Sequence, residues 1–245
     1  MLRGNFSRKR AGMLRHILSV LWKQGKDTLQ NKEILIQFVM FPVITIIMEN
    51  AIEIPGMPEH YFAMLFGAMY LGMAPLLCTS AILAEEKEKN TLRVLLMSNV
   101  RPGEYLAGVG IYVWCLCMAG AAVIGLAGGY RGSGFGNFML IMGAGFLVSI
   151  IVGAAVGVFS RNQMMATSIS MPVMLILSFL PMLAAFNESI AKLARITYSG
   201  QIHLLMGQVE NLHPSWGQTG ILLLNLAAAL LFFAAACRRN KRFAG

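Results

Sequence analysis

"YFAMLFGAMYLGMAPLLCTSAILAEEKEK", Tyr61–Lys89, holds the pattern on which the whole chain is built. Its first 24 residues carry no charge, and five charged residues in a row, Glu85, Glu86, Lys87, Glu88 and Lys89, then end the apolar run. As an α-helix, a stretch of that length rises about 36 Å, at about 1.5 Å per residue, more than the roughly 30 Å of a bilayer's hydrocarbon core. No water is present there to bond the backbone, so each N–H and C=O must find a partner within the segment. A helix meets that condition. The stretch therefore predicts a transmembrane helix ending in a charged knob.

The same pattern recurs along the chain. Tyr105–Tyr130, Gly132–Ser160, Asn162–Asn187 and Pro214–Cys237 are also free of charge and long enough to span. A further run, Ile34–Met48, is charge-free for 15 residues and reaches spanning length if it continues past Glu49 to about Ile52. Charged residues make up 13% of the chain, where a soluble domain carries about 25%. The expected fold class is an all-α polytopic membrane protein with six transmembrane helices. A basic segment over 1–33 precedes the six-span domain at 34–237, and a basic tail follows at 238–245. The long basic lead before the first span does not match a cleaved signal peptide. Cys78, Cys115, Cys117 and Cys237 fall within or at the ends of spans and read as free thiols.

Six spans divide the 20 Lys/Arg residues unevenly. Only Arg131, Lys192 and Arg195 fall on one side; the other 17 lie in the N-terminal segment, the second and fourth connections and the tail. The positive-inside rule puts both termini and the connection after Ala84 in the cytoplasm. The net charge of +9 then reflects topology and contact with anionic membrane lipid, with no nucleic acid needed.

Two segments are expected to fold without crossing. Met13, Leu14, Ile17, Leu18, Leu21 and Trp22 recur at helical spacing among Arg15, Lys23 and Lys26, which predicts an amphipathic interfacial helix over 13–33. The longest external connection, about Glu188–His213, predicts short helices before span 6, dipping into the outer leaflet or capping an exit. Within the spans, Gly145, Ser149, Gly153 and Gly157 recur every fourth residue, as do Cys117, Ala121, Gly125 and Gly129. Such stripes let helices approach closely, and they serve packing within one subunit or a dimer face. Pro42, Pro75, Pro172 and Pro181 lie inside spans and are expected to kink or locally break them.

Catalytic constellations are missing. The four histidines are scattered, no HxxxH pair exists, and no GxxxxGK[ST] supplies an ATP site. Glu49, beside Asn50 at the outer end of span 1, is the one acidic candidate for an ion relay, and an interfacial helix-end carboxylate is the plainer reading. Met164, Met165, Met171 and Met174 cluster on span 5, and flexible thioethers suit a surface that accepts varied apolar cargo. Glu49, Asn50, Met171 and Met174 are therefore the candidates for a translocation path. A transporter without an ion relay or an ATP site must receive work from a partner, and the second connection is where it can arrive. Glu85 and Lys89 form an i,i+4 pair that extends span 2 into water. Asn90 suits the left-handed end of that helix. Thr91 can cap a short new helix, with Leu92, Leu95 and Leu96 on its apolar face. Arg101-Pro102-Gly103 turns the chain back. The whole reads as a protruding hairpin that plugs into a soluble protein.

"EKEKNTLRVLLMSNVRPGEYLAGV", Glu86–Val109, resembles the cytoplasmic loop of ABC-2 type permeases, the membrane subunits of ABC exporters. That family commonly shows E-x-E-x-G-T-L-E-x-L-L followed by a Pro-Val turn and a re-entering helix, matched here by Glu86, Glu88, Thr91, Leu92, Leu95, Leu96, Val100 and Gly108. Asn90 replaces the usual Gly, Arg93 an acid, Asn99 a Pro and Val109 a Lys. "LWKQGKDTLQNKEILIQFVMFPVI", Leu21–Ile44, is similar to the family's interfacial helix and first span. "ITYSGQI", Ile196–Ile202, resembles its external segment before the last span, without the customary Pro ahead of the Tyr. The resemblance implies a coupling helix between spans 2 and 3 and pairing with a second permease copy, identical or not. It also implies docking of a cytoplasmic ABC ATPase, which alone uses ATP and Mg; no cofactor is expected on this chain. The implied cargo is amphiphilic, an antibiotic, peptide or lipid-like molecule, and the implied location is the inner membrane of a bacterial cell. Glycan export by the same family, a membrane sensor or immunity protein, and an ion-coupled carrier using Glu49 are the competing readings.

Overall fold

The computed structural model describes residues 18–28, 32–52, 56, 58–91 and 101–239. Helix α1 covers 18–28, and α2 (Lys32–Ala51), α3 (Tyr61–Glu88), α4 (Pro102–Ala127), α5 (Gly132–Phe159) and α6 (Gln163–Leu183) follow. Two short helices, α7 (Glu188–Ala194) and α8 (Tyr198–Met206), and a 3₁₀ turn at Val209–Asn211 lead to α9 (Trp216–Arg239). Among the described residues there is no strand. Five helices, α3, α4, α5, α6 and α9, are long and apolar enough to cross a membrane, while α2 contributes the shorter apolar stretch Leu35–Ala51. The interfacial reading of 13–17 and 29–31, and the coupling-helix reading of Leu92, Arg93, Leu95 and Leu96, lie outside the described residues.

Helix α3 is the axis of the bundle, in contact with α2, α4, α5, α6 and α8. Tyr70, Leu71, Leu76 and Leu83 along it are fully buried. The small-residue stripe on α5 explains how α5 comes so close. A Cβ at Gly153 would lie 2.5 Å from the Leu76 carbonyl oxygen, and one at Gly157 would lie 2.8 Å from Leu83 Cβ. Gly145 faces Leu71 in the same way. The stripe of Gly145, Ser149, Gly153 and Gly157 is thus spent on α3 of its own chain, which corrects the dimer-face alternative. Without a hydrophobic driving force between helices in lipid, such backbone-to-backbone approach supplies the dispersion contacts that hold them. The second stripe is also internal, with Cys117 and Ala121 buried and Gly125 against Phe138 of α5, but Gly129 falls beyond α4 in a turn at φ 79° and is not on the helix face.

All four intramembrane prolines sit inside uninterrupted helices, so the expected local breaks do not occur. At Pro75 the structure provides compensation. Proline has no N–H, so the carbonyl four residues earlier, Leu71 O, loses its helical donor. Ser149 Oγ donates to that carbonyl at 2.7 Å, and Tyr198 OH lies 2.7 Å from the same hydroxyl. Because Ser149 gives its proton to Leu71, Tyr198 is the donor in the second bond. One hydroxyl pair therefore repairs the proline gap in α3 and fastens α5 and α8 to it.

Gly153→Ala is expected to lower the unfolding temperature in detergent, because overpacking against backbone costs about 1–3 kcal/mol. Gly136→Ala on the same helix meets nothing within 4 Å. It should be neutral or stabilising, by up to about 1 kcal/mol of helix preference. Equal effects of the two substitutions would contradict the packing assignment.

Candidate functional site

The five-charge block at the end of α3 was expected to project into water; Glu88 and Lys89 are exposed, and the structure corrects the expectation for the two residues before them. Glu86 and Lys87 are buried, with 6% and 8% of their surface exposed. Glu86 Oε1 accepts from Lys23 Nζ on α1 and, at 3.4 Å, from Gln24 Nε2. Its Oε2 accepts from the hydroxyl of Thr91, which also lies 3.2 Å from the Glu86 carbonyl. One carboxylate thus joins the helix before the spans, the end of α3 and the start of the following loop. A buried carboxylate must be compensated in this way, since leaving it bare costs several kcal/mol. The buried face of α1 is Val20, Gln24 and Thr28, spaced four apart, while Leu18 and Trp22 point away from the bundle. Gly108, on α4, admits that face: a Cβ there would lie 2.8 Å from Val20.

Lys87 points the other way. Its Nζ donates to the carbonyls of Val158, at 2.7 Å, Gly157, at 3.3 Å, and Ser160. Gly157 and Val158 are in the last turn of α5 and Ser160 is its C-cap, so these carbonyls have no intrahelical donor. A cation at the negative end of a helix dipole contributes about 0.3–1 kcal/mol, and up to about 2 when partly buried. Glu88 does the complementary thing: its Oε2 accepts from the N–H of Gln163, 2.9 Å away, at the first turn of α6. A carboxylate there faces orphan donors and the positive end of the dipole. Neighbouring opposite charges on α3 therefore clamp the outgoing end of α5 and the incoming end of α6.

The local elements follow the sequence. Lys89 Nζ lies 2.5 Å from Glu85 Oε1, and Glu85's hydrogen bond, with its charge, raises the Lys89 pKa above the ordinary amine value. Asn90 is left-handed, with φ 56°. Thr91 differs: it is already helical, and its hydroxyl turns back to Glu86. At the re-entry, Pro102 opens α4 and the Arg101 N–H donates to Glu104 Oε2 at 3.2 Å.

The translocation candidates do not converge. Glu49 Oε1 accepts from the Ala63 N–H at 3.0 Å, so it caps the first turn of α3. Asn50 is exposed and donates to Ile46 O at 2.7 Å. Met174 is buried against Leu76 and Leu77 in the α3–α6 contact, whereas Met171 is exposed.

The family model described as "ABC-2 family transporter protein" matches residues 13–238. The chain belongs to the ABC-2 transporter family. It is accordingly a multi-pass membrane protein and a transport component of an ABC system. The comparison with curated proteins returns no match. In this ABC-2 chain the segment Ile196–Ile202 is used almost residue by residue. Ile196 O accepts from Asn225 Nδ2 on α9 at 2.8 Å, and Thr197 Oγ1 accepts from the Gly200 N–H at 3.2 Å, capping α8. Tyr198 reaches Ser149, Gln201 Nε2 donates to Arg195 O at 2.5 Å, and a Cβ at Gly200 would collide with Ala194 O. Tyr198, Ile202 and Met206 are buried, so α8 is wedged into the bundle and is no loose cap.

Sequence reasoning missed Lys23 and Gln24 as partners of Glu86, and Ser149 and Tyr198 as the Pro75 repair. The available signal was the four-residue spacing of Val20, Gln24 and Thr28, which marks a face too polar for lipid. A double-mutant cycle on Lys23→Met and Glu86→Gln, read by thermal unfolding in detergent, should give a coupling of about 1–3 kcal/mol. A coupling near zero would remove Glu86 as the tie to α1. A pH effect is also expected on α8. Burial lowers the pKa of His203 below 6.5, against an opposing hydrogen bond to the Met64 backbone. The fold favours neutral imidazole, so this contribution is complete above 6.5 and is lost as pH falls below it. The melting temperature of His203→Gln should therefore decline less steeply than wild type between about pH 7 and pH 5.

Proposed function

We propose that this ABC-2 protein is the permease subunit of an ATP-driven exporter, working as a pair of permease copies with a separate cytoplasmic ATPase docked on each. In this reading the chain spans the inner membrane of a bacterial cell six times, α2 being the first span, with both termini in the cytoplasm. Residues 1–33 lie along the inner surface, 34–237 form the permease, and 238–245 are a cytoplasmic tail. The cargo is amphiphilic, an antibiotic, peptide or lipid-like molecule. ATP and Mg belong to the partner.

One observation carries the proposal: the charged block before the loop at 92–100 holds α1, α5 and α6 at once through Glu86, Lys87 and Glu88. A push delivered from that loop to the end of α3 would reach three helices of the bundle through three consecutive side chains. Packed interfaces transmit such a push because they shift between discrete arrangements. Glu49 supports the same choice from the opposite side, since its carboxylate is engaged at the first turn of α3 and the ion-carrier reading loses its candidate.

Leu95→Asp should detach or uncouple the ATPase while leaving membrane insertion intact, and Glu88→Lys should uncouple it by placing a cation on the first turn of α6. Co-purification of the ATPase, together with transport-dependent ATP hydrolysis in vesicles, measures both. Full coupling in both variants would overturn the assignment of the loop.

A further inference from the structure

A cavity of about 580 Å³ opens where the ends of α3, α5, α6 and α9 meet. Lys87, Arg161 and Arg239 line it, brought from three distant parts of the chain, together with Phe159 and Met165. Among the described lining residues there is no Asp or Glu. Arg161 and Arg239 are exposed, and the Arg239 guanidinium sits 4.9 Å above the centre of the Phe159 ring, which holds it in place at the rim. Lys87 is already bonded to the carbonyls at the end of α5, so the positive potential of the hollow comes chiefly from Arg161 and Arg239, and the favourable occupant is an anion. All three belong to the cation-rich side of the chain, the side that the proposed orientation places at the cytoplasmic leaflet, where anionic lipids are found.

We infer that this cavity binds the phosphate of an anionic phospholipid headgroup. The volume lies within the range of small-molecule sites and accommodates a glycerophosphate group. The apolar part of the molecule is provided for as well. Met164, beside the lining residue Met165, is 79% exposed. Phe232, two helical turns from Arg239 and on the same face of α9, is 67% exposed. An acyl chain leaving the headgroup site therefore runs along apolar helix surface. Those side chains lie beside the cavity on helices that the proposed reading places in the bilayer, so a lipid meets both the charged and the apolar surfaces at once, whereas a soluble acidic peptide matches only the charged one. Guanidinium groups suit phosphate by their forked, two-donor geometry.

The test is a thermal-shift titration of the purified full chain in detergent with phosphatidylglycerol, phosphatidylcholine or inorganic phosphate. Phosphatidylglycerol should raise the melting temperature saturably, and the other two should not. In Arg161→Ala/Arg239→Ala the half-saturating concentration should rise by roughly 25-fold, at about a factor of five per basic residue near an anionic surface. Arg161→Gln alone, at an exposed position, should show about a fivefold rise, so the result does not depend on the double variant folding. An unchanged titration in these variants, or equal stabilisation by phosphatidylcholine or inorganic phosphate, would overturn the inference.

Discussion

A carboxylate buried at the edge of a membrane bundle has to be matched, and the matching of Glu86 fixes much of what surrounds it. Its oxygens are shared among Lys23, Gln24 and Thr91. That requirement draws α1 against the bundle along the Val20–Gln24–Thr28 face, and the absence of a side chain at Gly108 gives Val20 room. It also ties the first residue after the left-handed Asn90 back to the helix it has just left. The path of the chain into the loop is set by charge compensation more than by helix preference.

The next two residues extend the same logic to helix ends. Lys87 occupies the carbonyl end of α5 and Glu88 the amide end of α6, so the polarity of each side chain agrees with the dipole it meets. A reversed order of charges would oppose both dipoles at once. Deeper in the bundle the helices are joined by close approach and by hydroxyls. The glycine stripe of α5 lies on α3, Ser149 bonds the carbonyl that Pro75 leaves without a donor, and Ser80 pairs with Ser170 at 2.8 Å across α3 and α6. Tyr198 connects the short α8 to this arrangement. The bundle is thus pinned at both depths of α3, by ions at one end and by hydroxyls midway.

Much of the fold was legible because it is local. Runs without charge marked the long helices, the Glu85–Lys89 pair needed only i,i+4 spacing, and Asn90 needed only its tolerance of positive φ. Glu49 was legible as a helix-end carboxylate because depth in the membrane limits what a charge there can do. The partners of Glu86 on α1, and those of Lys87 and Glu88, were not legible, since they stand more than 60 residues away and period alone does not say which helices adjoin. The stripe on α5 showed that close approach occurs without showing to what. The prolines announced a missing donor, and only the three-dimensional neighbourhood supplies its replacement. The apolar spacing of α1 pointed to the exposed residues Leu18 and Trp22, while the face that packs on the bundle is the more polar one.

The central claim is that Glu86 ties α1 to the end of α3, so that in the proposed exporter the two move as one body when the partner ATPase pushes on the adjoining loop. Lys26 and Lys89 are exposed and flank the Glu86 junction, so spin labels placed there report on it without entering it. Pulsed electron–electron resonance on the complex assembled with its ATPase, with and without trapped ATP, measures the separation directly. The account predicts one unchanged intrasubunit distance in both states. A nucleotide-dependent shift of several ångströms, about one helical turn, would contradict it.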